Sequence, residues 1–272
     1  MRLPRLLATL AIGIAPALGA QPADTTKIST EPLFTKRDLF VAAGFAGVTV
    51  LLTPLDRRAA EGIQDSATQA NRFFHNAATG FRFMGSPGPV IIGGSLYAAG
   101  RLGHWKRIAD LGLHGTEALY VGALTAEIIK DVVGRARPYA TGDTNSRDFS
   151  FLRGFRKGNA YKSFPSGHST AAFAAAAAVT AETSRWWPTS TWYVAPVMYG
   201  GATMVGLSRM YNNAHWASDV AMGAAIGTFS GIKVVRYHHS HPNNRIDRWL
   251  LGATIVPEGN GRALLAYAVP LP

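Results

Sequence analysis

Apolar residues in this chain fall into short blocks separated by turn residues and charges. The first block, 39–52, is closed by Pro54. Across 56–84, Ile63, Ala67, Ala70, Phe73, Phe74 and Ala77 recur at helical spacing, which predicts one or two amphipathic surface helices. Gly85-Ser86-Pro87-Gly88-Pro89 is a turn cluster before a further apolar block at 90–99. Residues 108–133 read as one helix carrying Asp110, His114, Glu117, Glu127, Lys130 and Asp131, ended by Gly134 and Pro138. The stretch 139–164 has no strong period and reads as a long loop, a type of segment that usually carries function. Ser163 or Ser166 then caps a helix through Ala171–Ala178. Pro188 marks a break before helices at 194–207 and 215–235. In the tail, the runs 250–256 and 262–269 flank Pro257-Glu258-Gly259-Asn260-Gly261, a pattern that predicts a β-hairpin. The expected fold class is all-α, a helical bundle with a short C-terminal hairpin. The expected domain is 37–240, with its core at 108–235, followed by the tail 241–272.

The N-terminus modifies this picture. Arg2 and Arg5 precede an apolar run, 6–18, followed by Gly19, Ala20 and a polar stretch. That order predicts a signal peptide over 1–20 and a polar arm over 21–36, hence an exported protein of the periplasm or cell envelope. A retained anchor is the alternative, although the run is shorter than the ~20 residues a bilayer requires. Hydrophobic residues make up 47% and charged residues 16%, which lies between a soluble domain and a lipid-embedded one. Gly223, Gly227 and Gly231, four apart, would let helices approach closely in either setting. The net charge of +11 favours anionic partners. Nucleic acid is not expected, because no basic stripe is interleaved with aromatics. With no cysteine, disulfides and thiolate metal sites are excluded.

Candidate chemistry gathers in three segments. Lys130 stands six residues before Arg137-Pro138, His168 ends Phe164-Pro165-Ser166-Gly167-His168, and Ser208-Arg209 precedes His215 and Asp219. Phosphoryl transfer needs positive charge around the equatorial oxygens and a nucleophile in line with the leaving group. Lys and Arg can supply that charge. Glu117, Glu127 and Asp131 are scattered and no His-Glu-x-x-His occurs, so no metal is expected. Each residue also has a plain structural role open to it. Lys130 and Arg137 suit a helix C-terminus, and His215 and Asp219, four apart, suit a hydrogen bond on one helix face. His238, His239 and His241 form a cluster near Arg236 and Arg245 that reads as a solvated basic linker rather than a metal site. His114 and Glu117 read as a polar pair of the core or as support for the site.

Taken together, the segments resemble the type 2 phosphatidate phosphatase superfamily, which includes class A acid phosphatases and vanadium haloperoxidases. Its signature, Lys-x6-Arg-Pro, Pro-Ser-Gly-His and Ser-Arg-x5-His-x3-Asp, is met at 130–138, 165–168 and 208–219. The resemblance implies that His215 attacks phosphorus, that Asp219 orients its ring, and that His168 protonates the leaving alcohol and then activates water. It further implies that Lys130, Arg137, Arg209, Ser166 and the Gly167 amide hold the phosphate at a helix start. The expected activity is metal-independent hydrolysis of phosphomonoesters or diphosphates, with a lipid-linked substrate and membrane association. No cofactor is expected. A vanadate-dependent haloperoxidase and a non-catalytic anion or lipid binder are the alternatives. Arg147, Arg153, Arg156, Lys157 and Lys162, with Asp143 and Asp148, would form a lid over the site.

Overall fold

The computed structural model describes residues 33–142, 144–241 and 244–251, together with two strands further on. The leader-like run 1–20, most of the polar arm and Asp143 lie outside the described residues. The helices are α1 (Lys36–Leu52), α2 (Asp56–Ile63), α3 (Ser66–Ala70), α4 (Arg72–Gly85), α5 (Gly88–Leu102) and α6 (Lys106–Val133). They continue as α7 (Pro138–Thr141), α8 (Arg153–Lys157), α9 (Gly167–Trp186), α10 (Thr191–Tyr211), α11 (Ala217–Ser240) and α12 (Arg245–Leu251). The strands β1 (Ala253–Glu258) and β2 (Arg262–Tyr267) pair antiparallel, with Ala253 opposite Tyr267 and Glu258 opposite Arg262. The fold is the expected all-helical one with the hairpin appended.

Local chemistry sets the boundaries. Thr35 caps α1, with Asp38 returning a bond to the Thr35 amide at 2.6 Å. The 56–84 stretch makes three helices rather than one or two. Asp65 accepts from the amides of Ala67 and Thr68, and Asn71 from that of Phe73, and each restarts the chain. Gly134, at φ +56°, ends α6 in a left-handed turn. The 139–164 stretch is not the structureless loop expected: it holds α7, α8 and a 3-10 turn at Asn159–Tyr161. Residues 250 and 251, expected in the hairpin, belong to α12, and the strand begins at Ala253.

Packing at the centre uses small residues. Ala174, Ala176 and Ala178 on α9 and Ala118 and Ala126 on α6 are fully buried. The glycines of α11 face α9: a Cβ on Gly227 would lie 2.2 Å from the Thr170 carbonyl oxygen, and one on Gly231 2.6 Å from that of Ala174. Large apolar side chains point outward instead. Ile92 on α5 is 60% exposed, Leu124 on α6 65% and Val197 on α10 71%. Small residues inside and large apolar residues outside is the arrangement that suits a lipid surround. Among the described residues, the continuous helical run Lys36–Ile63 is long and apolar enough to cross a membrane.

Chain direction defines two ends. The C-terminal ends of α6 and α10 meet the N-terminal ends of α9 and α11 around one cavity and its floor. At the far end Lys233 of α11 binds the Leu33 carbonyl at 2.7 Å and Asp38 at 2.5 Å, so α1 starts there and runs toward the cavity.

Candidate active site

Two short connections carry the groups of interest because the helices around them stop abruptly. After Gly134, residues 135–137 run in extended chain, and Arg137 is held by the backbone of Ala160 and by Asn159, whose carbonyl and side-chain oxygens accept from Nε at 2.8 Å and Nη2 at 2.9 Å. After α10, residues 212–216 turn the chain so that His215 precedes α11 rather than lying on it. The expected stacking of His215 and Asp219 on one helix face is therefore replaced by a different linkage.

That linkage passes through Ser163. His215 Nδ1 lies 2.7 Å from the Ser163 carbonyl oxygen and 3.7 Å from Asp219 Oδ2. A carbonyl can only accept, so Nδ1 carries the proton and Nε2 keeps its lone pair. Asp219, fully buried, accepts from Ser163 Oγ at 2.5 Å, from the Trp216 amide at 2.8 Å and from Arg135 Nη1 at 2.5 Å. Ser163 thus positions the ring with its carbonyl and holds the carboxylate with its hydroxyl. Burial presses the His215 imidazole down to about 4, more strongly than the nearby Asp219 raises it.

Arg135 is the keystone beneath. Only 1% exposed, it reaches Asp219, Asp56 at 2.7 Å and Ser218 Oγ at 2.7 Å, and its guanidinium lies over the rings of Phe149 and Trp216. Asp56, also fully buried, accepts from the Ser218 amide and hydroxyl and so ties α2 to the start of α11. None of Arg135, Asp56 and Ser163 was assigned to the site from the sequence. Arg135 occupies a variable position of the Lys-x6-Arg-Pro segment, and its partners lie 79 and 84 residues away in the chain.

Above this floor opens a cavity of about 410 Å³. Lys130, Arg137, Arg209, Gly167 and His168 all line it, so four of the sequence-predicted cations and imidazoles converge on one space; His215 is not among the lining residues but is buried behind them, near enough to Arg137 and Arg209 for their charges to act on it. Arg209 Nε is buried without a hydrogen-bond partner, which leaves one donor of this cavity-lining side chain unused. Lys130 pairs with Glu127 across one helical turn. A Cβ on Gly167 would stand 2.8 Å from Lys130 Nζ, so a side chain there would push the ammonium from its present place. Ser166 is placed differently from the other candidates. It is fully buried as the α9 cap, its Oγ accepting from the Ser169 amide and 2.9 Å from the Ser169 hydroxyl. The basic residues of the expected lid divide. Arg153 folds back onto the Gly134 carbonyl and Asp148, and Lys162 pairs with Asp131, so both brace the loop. Asn159 from the same loop reaches the cavity wall.

Apart from Ser86 and Glu127, the remaining lining is apolar. Leu119, Tyr120, Ala123, Ala171, Pro89 and Val90 continue the wall between α5, α6 and α9. From Lys130 to Leu119 is eleven residues of α6, or about 16 Å. One end of the cavity is cationic, and the wall that continues from it is mainly apolar.

Comparison with known proteins shows what the chain is similar to. Residues 113–242 match the model of the PAP2 superfamily. Among curated proteins, a lipid A 1-phosphatase of Porphyromonas gingivalis is 39% identical over 104 residues, covering 38% of this chain and 22% of that protein. A lipid A 1-phosphatase of Rhizobium johnstonii is 34% identical over 108 residues, covering 39% of each. The chain thus spans well under half the length of these two relatives. The fold is similar to that of a transmembrane PAP2-type phosphatidylglycerolphosphate phosphatase from Bacillus subtilis, with a TM-score of 0.56 at 19% identity over 78% of this chain and 99% of that one.

Proposed function

We propose that the protein is a membrane-embedded phosphatase that removes a phosphate monoester from a lipid through a phosphohistidine on His215. The observation that carries this reading is the two-part cavity, whose cationic end holds Lys130, Arg137, Arg209 and His168 and whose apolar wall runs down α6. A soluble ester would gain nothing from that wall, whereas the acyl-bearing part of a lipid would bury apolar surface along it.

The chemistry follows from the geometry. The phosphate oxygens take the three cations, and the amides at the start of α9 add a helix N-terminus. His215 Nε2, whose lone pair is fixed by the Nδ1–H bond to Ser163, forms a bond to phosphorus as the bond to the lipid oxygen breaks. His168 gives its proton to that departing oxygen. His168 then takes a proton from water, the hydroxide forms a bond to phosphorus, the P–Nε2 bond breaks, and inorganic phosphate leaves. Asp219 and Arg135 keep the buried charges balanced as the imidazole becomes cationic.

Within this class, the names of the curated relatives nominate the 1-phosphate of a lipid A-type glycolipid. The long helices α1, α5, α6, α9, α10 and α11 would lie in the bilayer, with the site opening on the face opposite residues 33–36; an exported site then requires that the 1–20 run does not carry residues 21–36 across the membrane. A phosphate-release panel tests the reading. Lipid A 1-phosphate, phosphatidylglycerolphosphate, phosphatidate and glucose 1-phosphate would each be offered in detergent with excess chelator. Release from lipid A at least tenfold faster than from glucose 1-phosphate, and abolished in His215→Ala, is expected. Equal rates on the soluble ester, or turnover surviving in His215→Ala, would overturn it.

A further inference from the structure

The far end of the bundle holds a second cluster of ionisable side chains, outside the phosphate cavity. His114 of α6, Glu182 of α9, His239 of α11 and Asp247 of α12 meet there. This corrects the expectation of a solvated basic linker at 238–241: His238 is 3% exposed and is bonded to Glu117 and to Asp247. His114 and Lys130 are sixteen residues apart on α6, about 24 Å, so the cluster takes no part in the phosphoryl chemistry.

We propose that His114 Nδ1, His239 Nε2 and the Glu182 carboxylate form a binding site for a divalent transition metal of the zinc class. Glu182 is fully buried, and its carboxylate is met by the imidazoles of His114 and His239. Its carboxylate sits 2.5 Å from His114 Nδ1 and 2.9 Å from His239 Nε2. The two rings stand at 85°, so both nitrogens can point at one ion lying in each ring plane. Ligand atoms around a tetrahedral zinc with bonds near 2.0–2.1 Å are separated by roughly 3.3 Å. The two histidine–carboxylate pairs therefore need to part by less than an ångström, and all three donor groups already lie within 4.8 Å of one another.

Supporting groups lie where a metal-bound histidine requires them. A ligating imidazole fixes its orientation by giving its other N–H to a carboxylate. Buried His114 Nε2 faces Asp247 Oδ1 at 3.6 Å, and the same oxygen lies 2.7 Å from His238 Nδ1. His238 stacks on the His114 ring at 4.1 Å and contacts Asp247 at 2.7 Å, which holds both in register. The His239 side chain is 27% exposed, which leaves a path for the ion and a water as fourth ligand. A nitrogen and oxygen donor set without sulfur suits zinc and its neighbours in the series. The ion would join α6, α9 and α11 and, through Asp247, α12, clamping the end of the bundle remote from the cavity.

The test uses the full chain, purified in detergent without a polyhistidine tag, stripped with chelator and then titrated with zinc alone. About one zinc per chain is expected by elemental analysis, with a midpoint of thermal unfolding raised by several degrees. His239→Ala, a substitution at a partly exposed position, and Glu182→Gln, which keeps the size of the side chain, should both lose the bound zinc and the thermal shift. His241→Ala, an exposed neighbour, should keep both. A folded wild-type chain that takes up no stoichiometric zinc, or uptake unchanged in His239→Ala, would overturn the proposal. Should Glu182→Gln fail to fold, the wild-type stoichiometry and His239→Ala decide the matter.

Discussion

Replacing Arg135 by methionine should damage the protein more than replacing any of the three cavity-lining cations. The guanidinium is 1% exposed and stands between two carboxylates, Asp56 and Asp219, that are fully buried. Methionine fills much of the space but leaves two buried anions facing one another. Breaking a buried ion pair by removing one partner costs about 3–5 kcal/mol. For a chain of this size each kcal/mol lowers the unfolding midpoint by about 2–4 °C, so Arg135→Met should melt roughly 6–20 °C lower in a detergent thermal scan. Adding Asp56→Asn removes one of the orphaned charges, and the double variant should recover part of the loss. Arg135→Lys should fall between, because one ammonium cannot span both carboxylates as a planar fork does. Phosphate release should fall with stability in Arg135→Met, because Asp219 loses its anchor. A melting point within 2 °C of wild type, with unchanged turnover, would refute the keystone role.

Three further outcomes are expected. His215 is held neutral down to about 4 when folded, against about 6.5 unfolded. The unfolded chain therefore binds the extra proton between those values, so stability should rise as pH increases from about 4 to 6.5 and stay level above. Thermal scans across that range should show a shallower rise in His215→Gln, and identical slopes would count against the neutral buried imidazole. Gly167→Ala places a methyl 2.8 Å from Lys130 Nζ, so kcat/KM should drop about tenfold or more, a loss of ~1.4 kcal/mol, while the melting point moves little; unaltered kcat/KM would show that the approach is not used. Because the sequence has no cysteine, single cysteines at Lys157 and His104 report orientation. An impermeant maleimide on intact cells should label the first and not the second, and the reverse pattern would place the site inside.

How far the sequence could be read depended on the range of the interactions. Helix starts were legible where a capping side chain sits within three residues of the amide it serves, as at Ser166 on α9. The convergence of Lys130, Arg137, His168 and Arg209 was legible only through the resemblance of their three segments to a known family, because spacing within a segment does not fix the distance between segments. Arg135 and Asp56 were not, because their roles come from burial and mutual pairing across 79 residues, which leaves no local pattern. The same holds for His114 and Glu182, paired across 68 residues. The link from His215 to Ser163 runs through a backbone carbonyl, a contact that no side-chain spacing encodes. The outward placement of large apolar residues was obscured because alanine and glycine dominate the inner faces of the same helices.

The most direct measurement is a rapid alkaline quench of the purified protein during turnover of a lipid substrate carrying a radiolabelled phosphate, followed by peptide mapping. The account predicts acid-labile, base-stable label on the peptide containing His215, absent from His215→Ala. Steady turnover with no label on that peptide, or label on another side chain, would contradict it.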